Sequence, residues 1–189
     1  PMKYDTSLIS ELSYSSHFSM YLLQKKFILD RTSHPDLTKM FLSVNLKLGH
    51  TKTIRTLLNE IDDKLTKTEK ADWLMNVNEW DSALKLYLET DGPLAKICKC
   101  YRYLGKPEEI TKLEPLFDPS RADKTDESYE LFAWAFLKTK NYEKAKQYME
   151  MYSSAMTPDR ISFSLLFDIL TNDVNGAKRH IENAYKIIG

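Results

Sequence analysis

The stretch Trp73-Leu74-Met75-Asn76-Val77-Asn78-Glu79-Trp80-Asp81-Ser82-Ala83-Leu84-Lys85-Leu86-Tyr87 decides the fold. Trp80, Ala83, Leu84 and Tyr87 fall at i, i+3, i+4 and i+7, the spacing of one helix face. The run before it carries Trp73 and Leu74 and is equally helix-forming. Only polar Asn78-Glu79 separates the two, and so short a link between helices makes the second return antiparallel to the first. Ala83 matters because helices approach to roughly 8–10 Å only where a small side chain stands at the crossing. The stretch therefore predicts a helix hairpin.

That layout recurs along the chain. Five polar turns, Gly49-His50-Thr51, Asn78-Glu79-Trp80, Gly105-Lys106-Pro107, Lys140-Asn141-Tyr142 and Asn172-Asp173-Val174, each precede a small or aliphatic residue three positions on. These residues are Ile54, Ala83, Ile110, Ala145 and Ala177, at successive spacings of 29, 27, 35 and 32 residues. The spacings lie close to the roughly 34 residues of a tetratricopeptide repeat. Trp80, Tyr142 and Val174, one turn earlier, are expected to wedge into the preceding helix. Leu58, Tyr87, Met149 and Ile181 follow on the same face; the third repeat departs, with Glu114 there and Leu113 substituting. The first helices contribute Leu42, Trp73, Tyr101, Trp134 and Phe167, an aromatic stripe read as core. One helix pair cannot bury its apolar face alone, whereas stacked pairs build a continuous core. The expectation is an all-α chain: a right-handed α-solenoid of about five tetratricopeptide-like antiparallel helix pairs. They form one domain over residues 1–189, with repeats at 35–63, 67–90, 93–115, 124–154 and 158–188.

Punctuation agrees with this. Helices are expected at 6–29, 35–47, 51–63, 67–77, 79–90, 93–104, 107–115, 124–139, 141–154, 158–171 and 173–188. Thr66-Lys67-Thr68-Glu69 is a capping box. Ser33-His34-Pro35-Asp36, Asp91-Gly92-Pro93 and Thr157-Pro158-Asp159 combine a cap with a proline in the first turn. Gly49 and Gly105 are placed to end helices in the left-handed conformation. Phe117 to Lys124, with Asp118-Pro119-Ser120, reads as a solvated connector.

Composition excludes several functions. The 189 residues carry 27 basic and 27 acidic side chains, so no global field draws the chain to nucleic acid or anionic lipid. No apolar run approaches the roughly 20 residues of a membrane span, and the N-terminus lacks a basic-then-apolar signal pattern. The opening Pro1-Met2 reads as a cloning remnant, and so abrupt a start is what a fragment of a much larger protein is expected to show. Cys98 and Cys100 point about 200° apart on a helix, too far round to pair, and with no second ligand cluster they do not suggest zinc. A reducing, cytoplasmic setting fits. G-x-G-x-x-G, Walker, H-E-x-x-H and G-x-S-x-G motifs are absent. The four histidines, His17, His34, His50 and His180, are scattered and read as solvated. Asp62-Asp63 and Glu108-Glu109 diverge by about 100° per residue and read as surface. Lys96, Lys99, Arg102 and Lys106 form one basic strip, a solvated face or a site for an acidic partner or phosphate. No catalytic, cofactor or metal residue is assigned. The residues expected to pack the repeats are Trp73, Trp80, Ala83, Tyr87, Tyr101, Trp134, Tyr142, Ala145, Ala177 and Ile181.

Several motifs in order resemble the FAT domain of TOR-family protein kinases. Trp73-Leu74, Glu79-Trp80-Asp81-Ser82-Ala83-Leu84 and Tyr87 are similar to its W-Y-E-K-L-x-E-W-E-D-A-L-x-x-Y pattern. Cys100-Tyr101 with Leu104-Gly105 resembles the next element, R-C-L-x-x-L-G. Upstream, Phe41-Leu42-Ser43-Val44-Asn45-Leu46-Lys47-Leu48 resembles L-I-S-I-N-N-Q-L. Downstream, Ala177, Ile181, Glu182 and Ala184 follow A-x-x-x-I-D-x-A. The series spans roughly residues 18–188; the segment 112–130 matches poorly and Trp134 is off the family's tryptophan. The resemblance implies a non-catalytic regulatory scaffold that clamps the kinase domain of a serine/threonine kinase in nutrient and growth signalling. ATP and magnesium would bind only in that kinase domain, outside this chain. Raptor-like and small β-propeller subunits would be partners, with possible recruitment of the parent to endomembranes. The alternative is a free-standing tetratricopeptide-like adaptor binding proteins or peptides.

Overall fold

Ten α-helices and one short 3-10 turn, with no strand, make up the described residues of the computed structural model: 35–61, 65–122, 127–152 and 158–188. The helix expected at 6–29 and the Asp62-Asp63 pair lie outside them. The helices are α1 (Pro35–Lys47), α2 (Thr51–Glu60), α3 (Lys67–Asn76), α4 (Trp80–Glu89), α5 (Leu94–Tyr103), α6 (Pro107–Lys112), α7 (Glu127–Lys138), α8 (Tyr142–Met151), α9 (Pro158–Leu170) and α10 (Val174–Ile188). They pair as five sequential hairpins, α1–α2 through α9–α10.

The five turns between paired helices share one backbone conformation. Gly49, Asn78, Gly105, Lys140 and Asn172 all adopt left-handed φ, between 60° and 72°. In every case this residue's N–H reaches the carbonyl three back, at 3.0–3.2 Å. The next N–H reaches the carbonyl five back, at 2.8–2.9 Å. These two bonds define the Schellman ending, which satisfies carbonyls that the helix leaves orphaned. Each second helix then starts two residues past the left-handed one. Ile54, Ala83, Ile110 and Ala145, five residues past it, are fully buried. The repeat read from spacing is thus a repeat of turn geometry.

The chain divides into two compact units, Pro1–Gly92 and Pro93–Gly189. In the first, Phe41, Leu42 and Val44 of α1 pack with Ile54, Leu57 and Leu58 of α2 and with Val77, while Trp73 and Leu74 lean on this core half-buried. Ala71, Ala83 and Tyr87 are buried in the α3–α4 hairpin, and the Tyr87 hydroxyl donates to the Asp72 carboxylate. The capping box forms: Thr66 Oγ1 accepts from the Glu69 N–H at 3.2 Å and Glu69 accepts from the Thr66 N–H at 3.0 Å. Hydrogen bonding from Lys39 first, then from Thr66, holds the Glu69 carboxyl down at about 2. In the second unit α7 is the central helix, packing against α5, α6 and α8. Its Leu131, Phe132, Ala133, Ala135, Phe136 and Leu137 are all buried, with Cys98, Ile110, Ala145 and Tyr148 around them.

Several expectations need correction. Asp91 does not cap a helix: it is left-handed, with φ 47°, and ends α4, and the N–H of Gly92 closes onto the Tyr87 carbonyl at 2.8 Å. A Cβ on Gly92 would stand 2.7 Å from Tyr87 Cδ1, so glycine is required there. The expected helix 107–115 stops at Lys112, and Pro115 falls in the 3-10 turn Glu114–Leu116. Pro115 has no N–H to extend the α ladder. Phe117 is no solvated connector. Its ring lies 5.1 Å from Phe132 and 5.3 Å, edge-on, from Tyr129.

Candidate interaction groove

In the second unit, the first helices of three hairpins, α5, α7 and α9, border a groove of about 520 Å³. On the α5 side two ion pairs bridge to α7 as successive rungs. Lys99 Nζ meets Glu127 Oε1 at 2.9 Å, and Arg102 Nη1 meets Glu130 Oε1 at 2.7 Å. Both members advance by three residues, one helical turn, which keeps the rungs in line. The Arg102 guanidinium also lies 5.6 Å from the Trp134 ring centroid, within cation–π range. On the α9 side Phe163 and Leu166 supply apolar surface. With Lys138 included, three cations and two carboxylates line the groove. Its chemistry is that of a mixed recognition surface: one wall paired and polar, the other aromatic and aliphatic.

The basic strip is therefore split by the structure. Lys99 and Arg102 are turned to α7 and neutralised in place. Lys106 sits exposed in the α5–α6 turn. Lys96 is half-buried and engaged in an interaction of its own. Ion pairs this accessible contribute about 0–1 kcal/mol each, so the rungs set spacing between α5 and α7 more than stability.

The residues expected to pack the repeats are enclosed to different degrees. Ala83, Tyr87 and Ala145 are buried, whereas Trp73, Trp80, Tyr101, Trp134, Tyr142 and Ala177 are half-buried and Ile181 is exposed. Val174, expected to wedge like Trp80 and Tyr142, is exposed as well. Seven residues before the left-handed turn residue of the first four hairpins stand Leu42, as expected, and then Ala71, Cys98 and Ala133, all fully or almost fully buried. Three of these four are small, the residue type that close helix approach requires.

Sequence reasoning missed a buried polar cluster in the α9–α10 hairpin. Asp168 is buried and its Oδ2 lies 2.5 Å from His180 Nδ1, so His180 is not the solvated residue expected. Asp173 caps α10 by accepting the Gly176 N–H at 2.9 Å. Gly176, not Ala177, is the buried residue here. A Cβ on it would come within 2.8 Å of Asp168 Oδ2 and 2.7 Å of Asp173 Oδ2. A glycine in the first turn of an otherwise good helix was the available signal. Asn45 is a further buried polar residue: its Nδ2 donates to the Phe41 carbonyl at 2.8 Å, and its Oδ1 has no partner among the described residues.

Chemical reactivity is suppressed where it might have been sought. Burial pushes the Cys98 thiol up to about 12 and the Cys100 thiol up to about 11, with Lys99 opposing the latter. The thiolate is the nucleophilic form, so both stay inert. Glu109, of the acidic pair, meets Lys112 at 2.7 Å. Among the described residues, no three His, Cys, Asp or Glu side chains gather to hold a metal ion, and no helix is long and apolar enough to cross a membrane. Set against family models, curated proteins and solved structures, the chain matches none.

Proposed function

We propose that the chain is a segment of a right-handed α-solenoid of tetratricopeptide-like helix pairs and acts as a non-catalytic regulatory scaffold. The proposed parent is a TOR-like serine/threonine kinase, within which this segment corresponds to part of the FAT domain. The observation that carries the reading is the five-fold recurrence of one turn, left-handed φ and two Schellman bonds included, between antiparallel helices. Identical turns give each pair a similar exit geometry, which is what a stacked array needs. Such an array is stiff along its pairs and can hold a kinase domain in a fixed orientation. The motif series from Phe41 to Ala184 supports the FAT assignment. On this reading the partners are the parent's kinase domain with Raptor-like and small β-propeller subunits, in the cytoplasm. ATP and magnesium belong to that kinase domain, and neither nucleic acid nor membrane insertion is involved.

The test is the native transcript together with an assay. An open reading frame that continues into a kinase domain, with no phosphotransfer by residues 1–189 alone, is the expected result. A stop codon directly after Gly189, or kinase activity in the contaminant-free chain, overturns it. The groove favours a second reading, a free-standing adaptor that takes a peptide between α5, α7 and α9. Its mixed lining of paired charges and exposed Leu166 suits a segment with alternating polar and apolar side chains.

A further inference from the structure

The third hairpin is finished differently from the others. Its second helix, α6, has six residues, against ten in α2, α4 and α8 and fifteen in α10. Residues 114–122 follow it as a strap that packs on α7 and α8. The backbone bonds of this strap are local. The N–H of Leu116 reaches the Leu113 carbonyl and that of Phe117 the Glu114 carbonyl, both at 3.0 Å, and that of Arg121 reaches the Asp118 carbonyl at 3.1 Å. Asp118 also accepts the Ser120 N–H, at 3.0 Å. Among the described residues, no backbone-to-backbone hydrogen bond runs from 114–122 to α7 or α8. Each tie to those helices runs through a side chain. The Glu114 carboxylate accepts from Lys144 and, at 3.1 Å, from the Tyr148 hydroxyl. The Phe117 ring sits 5.1 Å from Phe132, 5.3 Å from Tyr129 and 6.1 Å from Tyr148. The Tyr129 hydroxyl donates to the Pro119 carbonyl at 3.2 Å.

Bonds that a segment makes to itself survive when it swings away, so lifting the strap breaks side-chain contacts and leaves every helix ladder intact. Openings of this local kind occur below the free energy of global unfolding. On its outer side Pro115, Leu116 and residues 118–121 are exposed. Beneath it Phe132 is fully buried, and Tyr129 and Tyr148 are 5% and 6% exposed. Burial first, then the Glu114 charge beside it, pushes the Tyr148 hydroxyl up, so it keeps its proton and can donate to the carboxylate. We infer that residues 114–122 open and close as one unit, a strap latched by Glu114 and Phe117 that covers and uncovers the aromatic face of Tyr129, Phe132 and Tyr148.

Thiol labelling of the full chain tests this, with the buried Cys98 and Cys100 as built-in reporters of wider unfolding. Phe117→Cys and Ala122→Cys, made one at a time, place a reporter in the middle and at the end of the strap, the second with the Phe117 ring retained. Relative to its rate in the unfolded chain, each new thiol is expected to label about tenfold or more faster than Cys98 and Cys100. Its rate should also depend less on urea, because a lifted strap exposes less surface than an unfolded unit. Adding Glu114→Gln is expected to speed labelling at 117 and 122 alike by about fivefold and to leave Cys98 and Cys100 unchanged. One common rate and urea slope for the strap and core thiols would mean that the strap opens only with the whole unit, and overturns the inference. So does labelling at 117 and 122 that Glu114→Gln leaves unaltered, since the reagent then reaches those thiols with the strap closed.

Discussion

At Lys140 a side chain occupies a backbone conformation that the other four turns give to glycine or asparagine. Its φ is 61°, matching Asn78 at 62° and Asn172 at 60°. The left-handed region costs an ordinary L-residue about 1–2 kcal/mol, because Cβ crowds the following carbonyl. Glycine avoids that cost but surrenders about 0.5–1 kcal/mol through its freer unfolded chain. Lys140→Gly is therefore expected to stabilise the chain by about 0.5–1 kcal/mol, read as a higher urea midpoint at unchanged slope. A fall in the midpoint would mean that the lysine makes a contact worth more than the strain. Residue chemistry made Gly49 and Gly105 legible in advance as helix ends. It hid Lys140 and misplaced Asp91, because aspartate before Gly-Pro signals a cap as readily as a left-handed stop.

Between helices, the small residue beyond each turn is the feature on which the hairpin closes. Ala145 is fully buried in α8, and Ala133 of α7, on the other side of the turn, is almost as closed. Ala145→Leu must force the pair apart or drive the new side chain off its rotamers, at an expected cost of about 1–3 kcal/mol. Ala177→Leu is expected to cost less, since Ala177 is only half-buried and Gly176 takes the enclosed position. Equal losses for the two substitutions in chemical denaturation would refute this assignment of the crossings. The helices and their five-fold phase were legible because turn residues and apolar spacing are local signals. The choice of buried residue was less so. A search for apolar bulk finds Trp73, Tyr101 and Trp134, whereas close approach selects Ala71, Cys98 and Ala133, whose small side chains leave little mark on such a pattern. The groove was less legible still: Lys99 and Arg102 were visible as a strip, but only the fold brings Glu127 and Glu130 opposite them.

Across the molecule, each of the two hydrophobic cores draws its members from its own unit. The second is the better furnished, with Phe132, Phe136 and Tyr148 stacked at 5.3–5.6 Å and Phe117 closing the side. Glu114 receives both Lys144 and the Tyr148 hydroxyl, tying the 3-10 turn to α8. A unit of this length with a core of its own falls within the size range in which domains fold independently. Residues 93–189 expressed alone are therefore expected to give a helical circular dichroism spectrum and one cooperative unfolding transition. Trp134 is the only tryptophan in that piece, so its fluorescence reports the α5–α7 packing without interference from Trp73 and Trp80. A non-cooperative melt, or a Trp134 emission already at the fully solvated wavelength, would show that this core needs the first unit to form.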